Sequence, residues 1–415
     1  MFIGIDDTDS EKGLCTTYLA AVLMERLEPY GTIIGLPRLI RLNPCARFKT
    51  RGNAALAFRL ESNRLDEVKE IALKTVLELS DFTGRNTNPG LVIAEEVTAR
   101  MTAFYRSAVT EILEIEEARR LLDELGIWHR GFKKGRGLIG ALAAVGAELP
   151  DFTYELIAYR ERKCWGTPRV IDPASVWKAD ALTYPQTWDT VDHHNSRVVF
   201  APHSGDPVLF GIRGSDPGAI EEAFQTIKSE PAERRVLYLT NQGTDAHILA
   251  GEVGDTLDSQ SYRLHGRVAE AATAIAGGHL FFVLQNETAR LKCAAFEPTK
   301  NFREIVLRLI PGDELEVYGS VREGSLNLEK INILRLAEQE EMTVPLCPQC
   351  QRGMESAGRG QGYRCRRCKT KSIGRERKVK SRDMEKGFYE VPPCARRHLS
   401  KPLVRLSGEL VHPSR

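Results

Sequence analysis

Phe2-Ile-Gly-Ile-Asp-Asp-Thr-Asp-Ser10 runs from a short apolar strand straight into three carboxylates within four residues. Asp6, Asp7 and Asp9 at a strand end repel one another unless a cation neutralises them. Mg²⁺ takes oxygen ligands and bridges to phosphates, so Asp7 and Asp9 are its first candidate ligands here. Gly13-Leu-Cys-Thr-Thr-Tyr-Leu-Ala20 then opens an amphipathic helix to about Leu27. Thr16 and Thr17 fall where a helix N-terminus points free N–H groups, a natural phosphate seat. One strand–loop–helix thus predicts an α/β catalytic domain carrying metal ligands, hydroxyls and an anion pocket together. Capping by Asp9 or Thr16 explains a single residue and leaves the acidic cluster unaccounted for.

Working outward, Lys49-Thr-Arg-Gly-Asn53 is a basic, glycine-containing loop before the strand 54–60, suited to phosphate through Lys49 and Arg51, or an ordinary charged hairpin. Lys133-Lys-Gly-Arg-Gly-Leu-Ile-Gly140 is basic and glycine-rich but lacks the Gly-Lys-Ser/Thr ending of a Walker A loop. Lys134, Gly135, Arg136 and Gly137 are its nucleotide-side candidates. From about 106 to 228 the pattern mixes a helix (Tyr105–Leu125), a strand (Thr153–Tyr159) and a helix (Pro217–Lys228). Between them Trp188, Asp189 and Asp192 would suit a flat cationic group, or simply pack a loop over a sheet.

Short β runs take over from Tyr262 to Leu334, at 262–268, 279–284, 290–296, 314–321 and 326–334, with a helical stretch at 302–309. Five strands with a helix after the third is the order of an OB-fold barrel, which binds single strands by aromatic stacking and a basic groove. Arg290, Lys300 and Arg303 are candidate RNA contacts; Phe281 and Phe296 are stacking candidates or core. Next come Cys347-Pro-Gln-Cys350 and Cys365-Arg-Arg-Cys368. Two residues inside each pair let two thiolates on one turn face the same ion, and two such knuckles complete a tetrahedral, structural Zn²⁺ site. In an intracellular chain that arrangement favours metal over disulfides.

The 415 residues exceed one ordinary core and imply three or four domains. The apolar run 138–145 is far short of a membrane span, and the acidic N-terminus is no signal peptide, so the expectation is a cytoplasmic protein with no membrane partner. A net charge of +2 hides its distribution: residues 341–415 hold 18 Lys and Arg against 7 Asp and Glu, a net of +11, leaving −9 for the rest. A basic end on an acidic body points to an anionic partner, with nucleic acid foremost.

Ile3-Gly-Ile-Asp-Asp-Thr-Asp-Ser10 with Cys15-Thr-Thr-Tyr18, then Gly135-Arg-Gly-Leu-Ile-Gly-Ala141, then the OB segment and the Cys₄ ribbon, resemble the archaeal tRNA(Ile) 2-agmatinylcytidine synthetases in order along nearly the whole chain. The resemblance implies a multidomain α+β chain. It would comprise a threonine/cytidine kinase-like domain (1–105), a ferredoxin-like domain (106–230), an OB-fold (235–338) and a zinc ribbon (342–374), with a basic C-terminal tail (375–415) after them. It implies ATP- and Mg²⁺-dependent ligation of agmatine to the 2-position of the wobble cytidine of an isoleucine tRNA, switching decoding from AUG to AUA. Asp6, Asp7, Asp9 and Thr16 would then be catalytic, Thr16 by autophosphorylation. Lys49, Arg51 and Arg136 would face phosphate, and Trp188 with Asp189 or Asp192 would face agmatine. No obligate protein partner is evident. Two rivals remain at this level: a non-catalytic OB–ribbon protein for single strands, and an ATP-dependent ligase or kinase using another small amine.

Overall fold

The computed structural model describes residues 1–10, 13–47 and 53–415. The N-terminal strand β1 (Phe2–Asp6) runs into the loop that feeds α1 (Thr16–Leu27), as its sequence predicts. β2 (Thr32–Arg41), β3 (Ala54–Glu61), α2 (Leu65–Leu79) and β4 (Gly90–Ala94) follow. Leu19, Leu23 and Leu27 recur every four residues and form one face of α1, fully covered against Ile3, Ile5 and the α2 residues Val68, Ala72 and Val76. Each such leucine contributes roughly 1.5–3 kcal/mol of burial.

The chain continues through α3 (Ala99–Thr110), α4 (Ile115–Glu124), β5 (Trp128–Gly131) and α5 (Gly137–Gly146). The single helix expected over 105–125 is therefore two helices. The hydroxyl of Thr110 donates to Arg106 O at 3.0 Å, and Glu111 is already extended, so the first helix stops there. The boundary expected near 105 falls inside α3. α5 is apolar all round and lies under the sheet on the face opposite α1 and α2. A Cβ on Gly4 would come within 2.3 Å of Ala141 O, so only glycine lets strand and helix approach this closely.

β6 (Thr153–Arg160), α6 (Pro173–Thr183), β7 (Thr187–Trp188), a small hairpin of β8 (Val191–Asp192) and β9 (Arg197–Val198), β10 (Val208–Gly214), α7 (Pro217–Thr226) and β11 (Ala232–Thr240) form the central half. Asp172 and Asp216 cap α6 and α7, each before a proline at the first helical turn. The two halves share one nine-stranded sheet, in the order β5-β4-β1-β3-β2-β11-β6-β10-β7. They join where β2 and β11 pair in parallel.

The OB segment holds β12 (Ile248–Ala250), β13 (Ser261–Ala274), β14 (Leu280–Gln285), β15 (Arg290–Ala295), α8 (Phe302–Leu307), β16 (Glu314–Arg322) and β17 (Ser325–Arg335). β13, β14, β15, β17 and β16 each pair with two others of the set. Leu264, Phe282, Leu284, Phe302, Val317 and Ile331 belong to the buried core that these strands and α8 share.

β18 (Gln339–Thr343) pairs with β22 (Glu376–Lys380), and between them the ribbon carries the short strands β19 (Glu355–Ser356), β20 (Tyr363–Arg364) and β21 (Lys371–Ser372). Beyond the ribbon, β23 (Gly387–Glu390) adds to the edge of β17 and β24 (Val411–His412) adds to β23. The expectation of a basic tail over 375–415 is thereby corrected: residues 387–415 are a packed strap. Its cations are counterions to buried or half-buried acids of the body, which local sequence does not reveal. Among the described residues, no helix is long and apolar enough to cross a membrane.

Candidate active site

A cavity of about 390 Å³ opens where the two halves of the large sheet meet. The end of β1 contributes Asp6 and Asp7, the following loop Asp9, and the first turn of α1 Cys15, Thr16 and Thr17. Arg136 and Gly140 border it from α5 and the residue before it; Glu155, Gly211 and Arg213 come from β6 and β10. Four residues of the acidic loop and first helical turn, Asp6, Asp7, Asp9 and Thr16, thus line one hollow together with Arg136.

Asp7 sits at φ +58°, a left-handed conformation that a non-glycine residue adopts at a cost and that turns its carboxylate inward. Arg136 donates to that carboxylate at 2.9 Å and to Asn86 O at 2.7 Å. Burial still lifts the Asp7 carboxyl to about 6, with Arg136 opposing the rise. Asp6 is pushed well above the ordinary carboxylate range by burial and by the neighbouring Asp7. A Cβ on Gly140 would come within 1.9 Å of Asp6 Oδ2, so α5 rests its backbone directly against this carboxylate. The Thr16 hydroxyl accepts from the Thr8 hydroxyl at 3.1 Å and from Thr8 N–H at 3.4 Å, which ties the acidic loop to the helix start. Cys15, the N-cap, makes no side-chain cap; its Sγ lies 3.0 Å from Thr17 Oγ1.

The other nucleotide-side candidates divide. Lys49 and Arg51 lie outside the described residues. Lys134 is an exposed turn residue whose carbonyl accepts from Arg119 at 3.0 Å. Gly135 makes the turn at φ +73°. Gly137 is a close-approach residue: a Cβ there would meet Gly90 N at 2.4 Å and Asp6 O at 2.5 Å. Of that loop, Arg136 is the residue that reaches the cavity.

The proposed agmatine set lies elsewhere. Trp188 is 4% exposed, on β7 beneath the Arg405 guanidinium. Asp189 pairs with Arg396 of the strap. Asp192 accepts from Asn195 N–H at 2.9 Å and Cys394 N–H at 3.3 Å. These groups hold the strap to the central half; the structure does not bring them to the cavity. An acid and an aromatic close in sequence read the same whether the cation they meet is a ligand or a distant arginine.

Sequence reasoning missed the opposite wall. Glu155 is buried, and burial pushes its carboxyl up while Arg213 and Arg41 more than offset that, leaving it below the usual range. Arg213 Nε donates to it at 3.1 Å, Gln242 Nε2 at 2.5 Å, and Arg41 stands 3.7 Å away. Glu155 carried a signal, a lone acid inside the apolar run 153–159. His398, which reaches this wall from the far end of the chain, carried none.

At the ribbon, the Sγ atoms of Cys347, Cys350, Cys365 and Cys368 all lie within 4.8 Å of one another. Zn–S bonds of about 2.3 Å in a tetrahedron place sulfurs roughly 3.8 Å apart, a spacing the four thiols, at 3.1 to 3.7 Å for the pairs in contact, reach with shifts of a few tenths of an ångström. Among the described residues this is the one set of three or more ligand groups that converges so tightly; Asp6, Asp7 and Asp9 do not. On the OB surface, Phe281 and Phe296 are half-exposed and meet edge to face at 6.1 Å, with the Lys292 ammonium 5.1 Å from the Phe281 ring. Arg303 is held by Gly278 O, Lys300 by Glu297 at 2.5 Å, and Arg290 by Glu270.

A cavity with clustered carboxylates and a helix N-terminus, joined to an OB-fold and a thiolate ribbon, defines a multidomain enzyme that handles phosphate and nucleic acid. Family models match in the same order: TiaS TCKD domain over 2–64, TiaS FLD domain over 135–247, OB-fold nucleic acid binding domain over 262–334, and TiaS C-terminal zinc ribbon domain over 344–384. The isoleucine-tRNA 2-agmatinylcytidine synthetase TiaS of Methanosarcina mazei is 50% identical, over 98% of this chain and 97% of its own length. The crystallised complex of TiaS with its isoleucine tRNA and ATP has 46% identity and a TM-score of 0.92, covering 100% of this chain and 99% of that one. The complex of TiaS with the same tRNA, AMPCPP and agmatine has 44% identity and a TM-score of 0.89, covering 100% and 99%. The chain belongs to the TiaS family. It is a mixed α+β multidomain member with an OB-fold and a zinc ribbon.

Proposed function

We propose that this protein ligates agmatine to the 2-position of the wobble cytidine of an isoleucine tRNA at the expense of ATP. The observation that carries the reading is that Asp6, Asp7, Asp9, Thr16 and Arg136 all line one cavity of a chain aligned end to end with TiaS. A carbonyl oxygen is a poor leaving group, so it must be phosphorylated before an amine can displace it. That chemistry needs phosphate charge neutralised and the partners held in line.

Asp7 with Asp6 or Asp9 would hold Mg²⁺, which commonly takes one or two carboxylates and completes its shell with phosphate and water. The three acids need not converge for that role. Burial and mutual repulsion raise the proton affinity of Asp6 and Asp7, and a bound cation would offset both effects. Thr16 is the proposed phosphate acceptor: its hydroxyl stands at the helix N-terminus, where N–H groups stabilise anions. Arg136 would serve both the carboxylate and the phosphates. The N-terminal half is read as the kinase-like unit and the central half as ferredoxin-like, with α5 packed against β1, β3 and β4. The five mutually paired strands are read as a barrel that presents Phe281 and Phe296 to unstacked bases. Zn²⁺ at the Cys₄ cluster is structural, since four thiolates leave no open position.

The test incubates the protein with a transcript of the isoleucine tRNA that carries a wobble cytidine, labelled agmatine, ATP and Mg²⁺. Label enters the tRNA at the wobble cytidine. A folded, zinc-loaded preparation that incorporates none refutes the proposal; incorporation of putrescine or spermidine in place of agmatine assigns it a different amine.

A further inference from the structure

His398 stands at the cavity although it lies some 260 residues beyond Arg136 and in the strap that follows the ribbon. Its position is set twice. The backbone is held by Gly243 N–H, which donates to His398 O at 2.8 Å, and by Asp245 N–H, which donates to Leu399 O at 2.8 Å. The ring is held by Arg213, whose Nη2 lies 2.7 Å from Nδ1. A guanidinium has no acceptor, so Arg213 donates and Nδ1 of His398 carries no proton.

Arg213 itself is oriented along every edge. Nε donates to Glu155 at 3.1 Å, Nη1 stands 3.9 Å from Asp189, and Nη2 meets His398. Glu155 and Asp189 belong to the central half, whereas His398 belongs to the strap. Flanking residues anchor that strap to other parts of the body. Arg396 inserts between Asp189 and Glu390, Arg397 meets Glu329 at 3.2 Å, and Lys401 meets Asp151 at 2.8 Å. The strap therefore delivers one side chain to the cavity and fixes its depth by ion pairs on both sides of it.

We propose that His398 is a positioning residue for the ligation, locking Arg213 into the cavity wall, so that turnover requires the docked strap. The inference rests on the proposed ligation. It gives the segment after the ribbon a part in catalysis that a basic RNA-binding tail would not have. A hydrogen bond to a charged group lost from such a wall reduces kcat/KM by roughly tenfold to a hundredfold.

The experiment compares H398A, H398Q, R213A and the double variant H398A/R213A in full-length protein, with the thermal midpoint of each measured alongside. H398A falls by that factor, and H398Q, whose amide oxygen can accept from Arg213, returns to within about threefold of wild type. In the R213A background H398A adds nothing, because the histidine acts through the arginine. H398A activity within about twofold of wild type overturns the proposal, as does H398Q failing as badly as H398A, or additive losses in the double variant. A reading independent of turnover is the ¹⁵N spectrum of the histidine rings, with H398Q assigning the resonance: the proton sits on Nε2. A proton on Nδ1 removes the contact and the inference, whereas wild-type protein that shows the Nε2 form but ligates nothing refutes the proposed ligation alone.

Discussion

Arg396 is the deepest cation of the strap, and replacing it with methionine isolates what its charge does. Its side chain is 3% exposed, between Asp189 at 8% and Glu390 at 3%. It donates to the Asp189 carboxylate, forms an ion pair with Glu390 Oε1 at 2.8 Å, and donates to the carbonyls of Val391 and Ser414 at 3.4 and 3.3 Å. Methionine retains most of the apolar stem, so R396M chiefly leaves two acids without their cation. Removing one side of a buried pair costs about 3–5 kcal/mol. Burial already raises the Glu390 carboxyl, and Arg396 is the group that most opposes it. Without the guanidinium that carboxyl rises further and takes a proton in mild acid. An acid whose folded-state affinity for protons exceeds its unfolded value loses stability as pH rises, so the variant's deficit is largest at about pH 8 and smaller at about pH 5. Hydrogen exchange over residues 391–405 at the two pH values reads the strap locally, which avoids assuming two-state unfolding in a multidomain chain. Unchanged protection at the higher pH, or an equal deficit at both pH values, refutes this account. Neutralising all three groups, D189N/R396M/E390Q, recovers part of the loss, because a buried charge triad and a neutral replacement often differ little.

Three further outcomes follow from the same structure. G140A drives a methyl into the Asp6 carboxylate, so ATP turnover falls and overpacking costs about 1–3 kcal/mol; unchanged turnover and thermal midpoint would show the contact to be inconsequential. Burial alone would raise the Glu329 carboxyl, but His247 and Arg397 hold it down at about 2; it therefore contributes about 3 kcal/mol above pH 4.5 that is lost as pH falls toward 2, and E329Q flattens that acid limb in pH-dependent denaturation. C365S releases zinc, measured by metal analysis, and weakens tRNA binding; one zinc per chain retained in the variant removes the Cys₄ assignment.

The legible parts of this molecule were those written in short, periodic stretches. Each OB strand forms within a few residues of its alternating run, longest in the overhang of β13 to Ala274, because a half-buried strand needs nothing beyond its own pattern and a turn. The same holds for the Cys₄ knuckles and for the acidic strand end with Thr16 at the head of α1. Arg136 was distinguishable from its glycine neighbours only in three dimensions: Gly135 and Gly137 serve backbone turns and close approach, whereas the guanidinium spans to Asp7. The sheet that unites the two halves was invisible because β2 and β11 lie far apart in the chain and pair over only Leu239 with Arg38 and Thr240 with Leu39.

Charge was the least legible property, and the strap shows why. Among the 18 cations after residue 340, Arg382, Arg396, Arg397, Lys401, Arg405 and Arg415 pair with acids of the body. A sequence sum of +11 treats these as field sources for RNA, but a cation bound to an internal carboxylate projects little field beyond a Debye length. The ribbon's Arg364, Lys369, Lys371 and Lys378 are exposed and remain available to phosphate. Basicity in the last 75 residues thus has two uses: most of the ribbon's cations face solvent, whereas Arg382 and the cations after β23 pair with acids of the body, those after β23 locking the strap that carries His398 to the cavity. Neutralising Lys369 and Lys371 should lower the salt slope of tRNA binding by about 2 with little effect on unfolding. Neutralising Arg397 should cost stability and activity with little change in that slope. The opposite pattern would mean that the strap's charges serve the RNA after all.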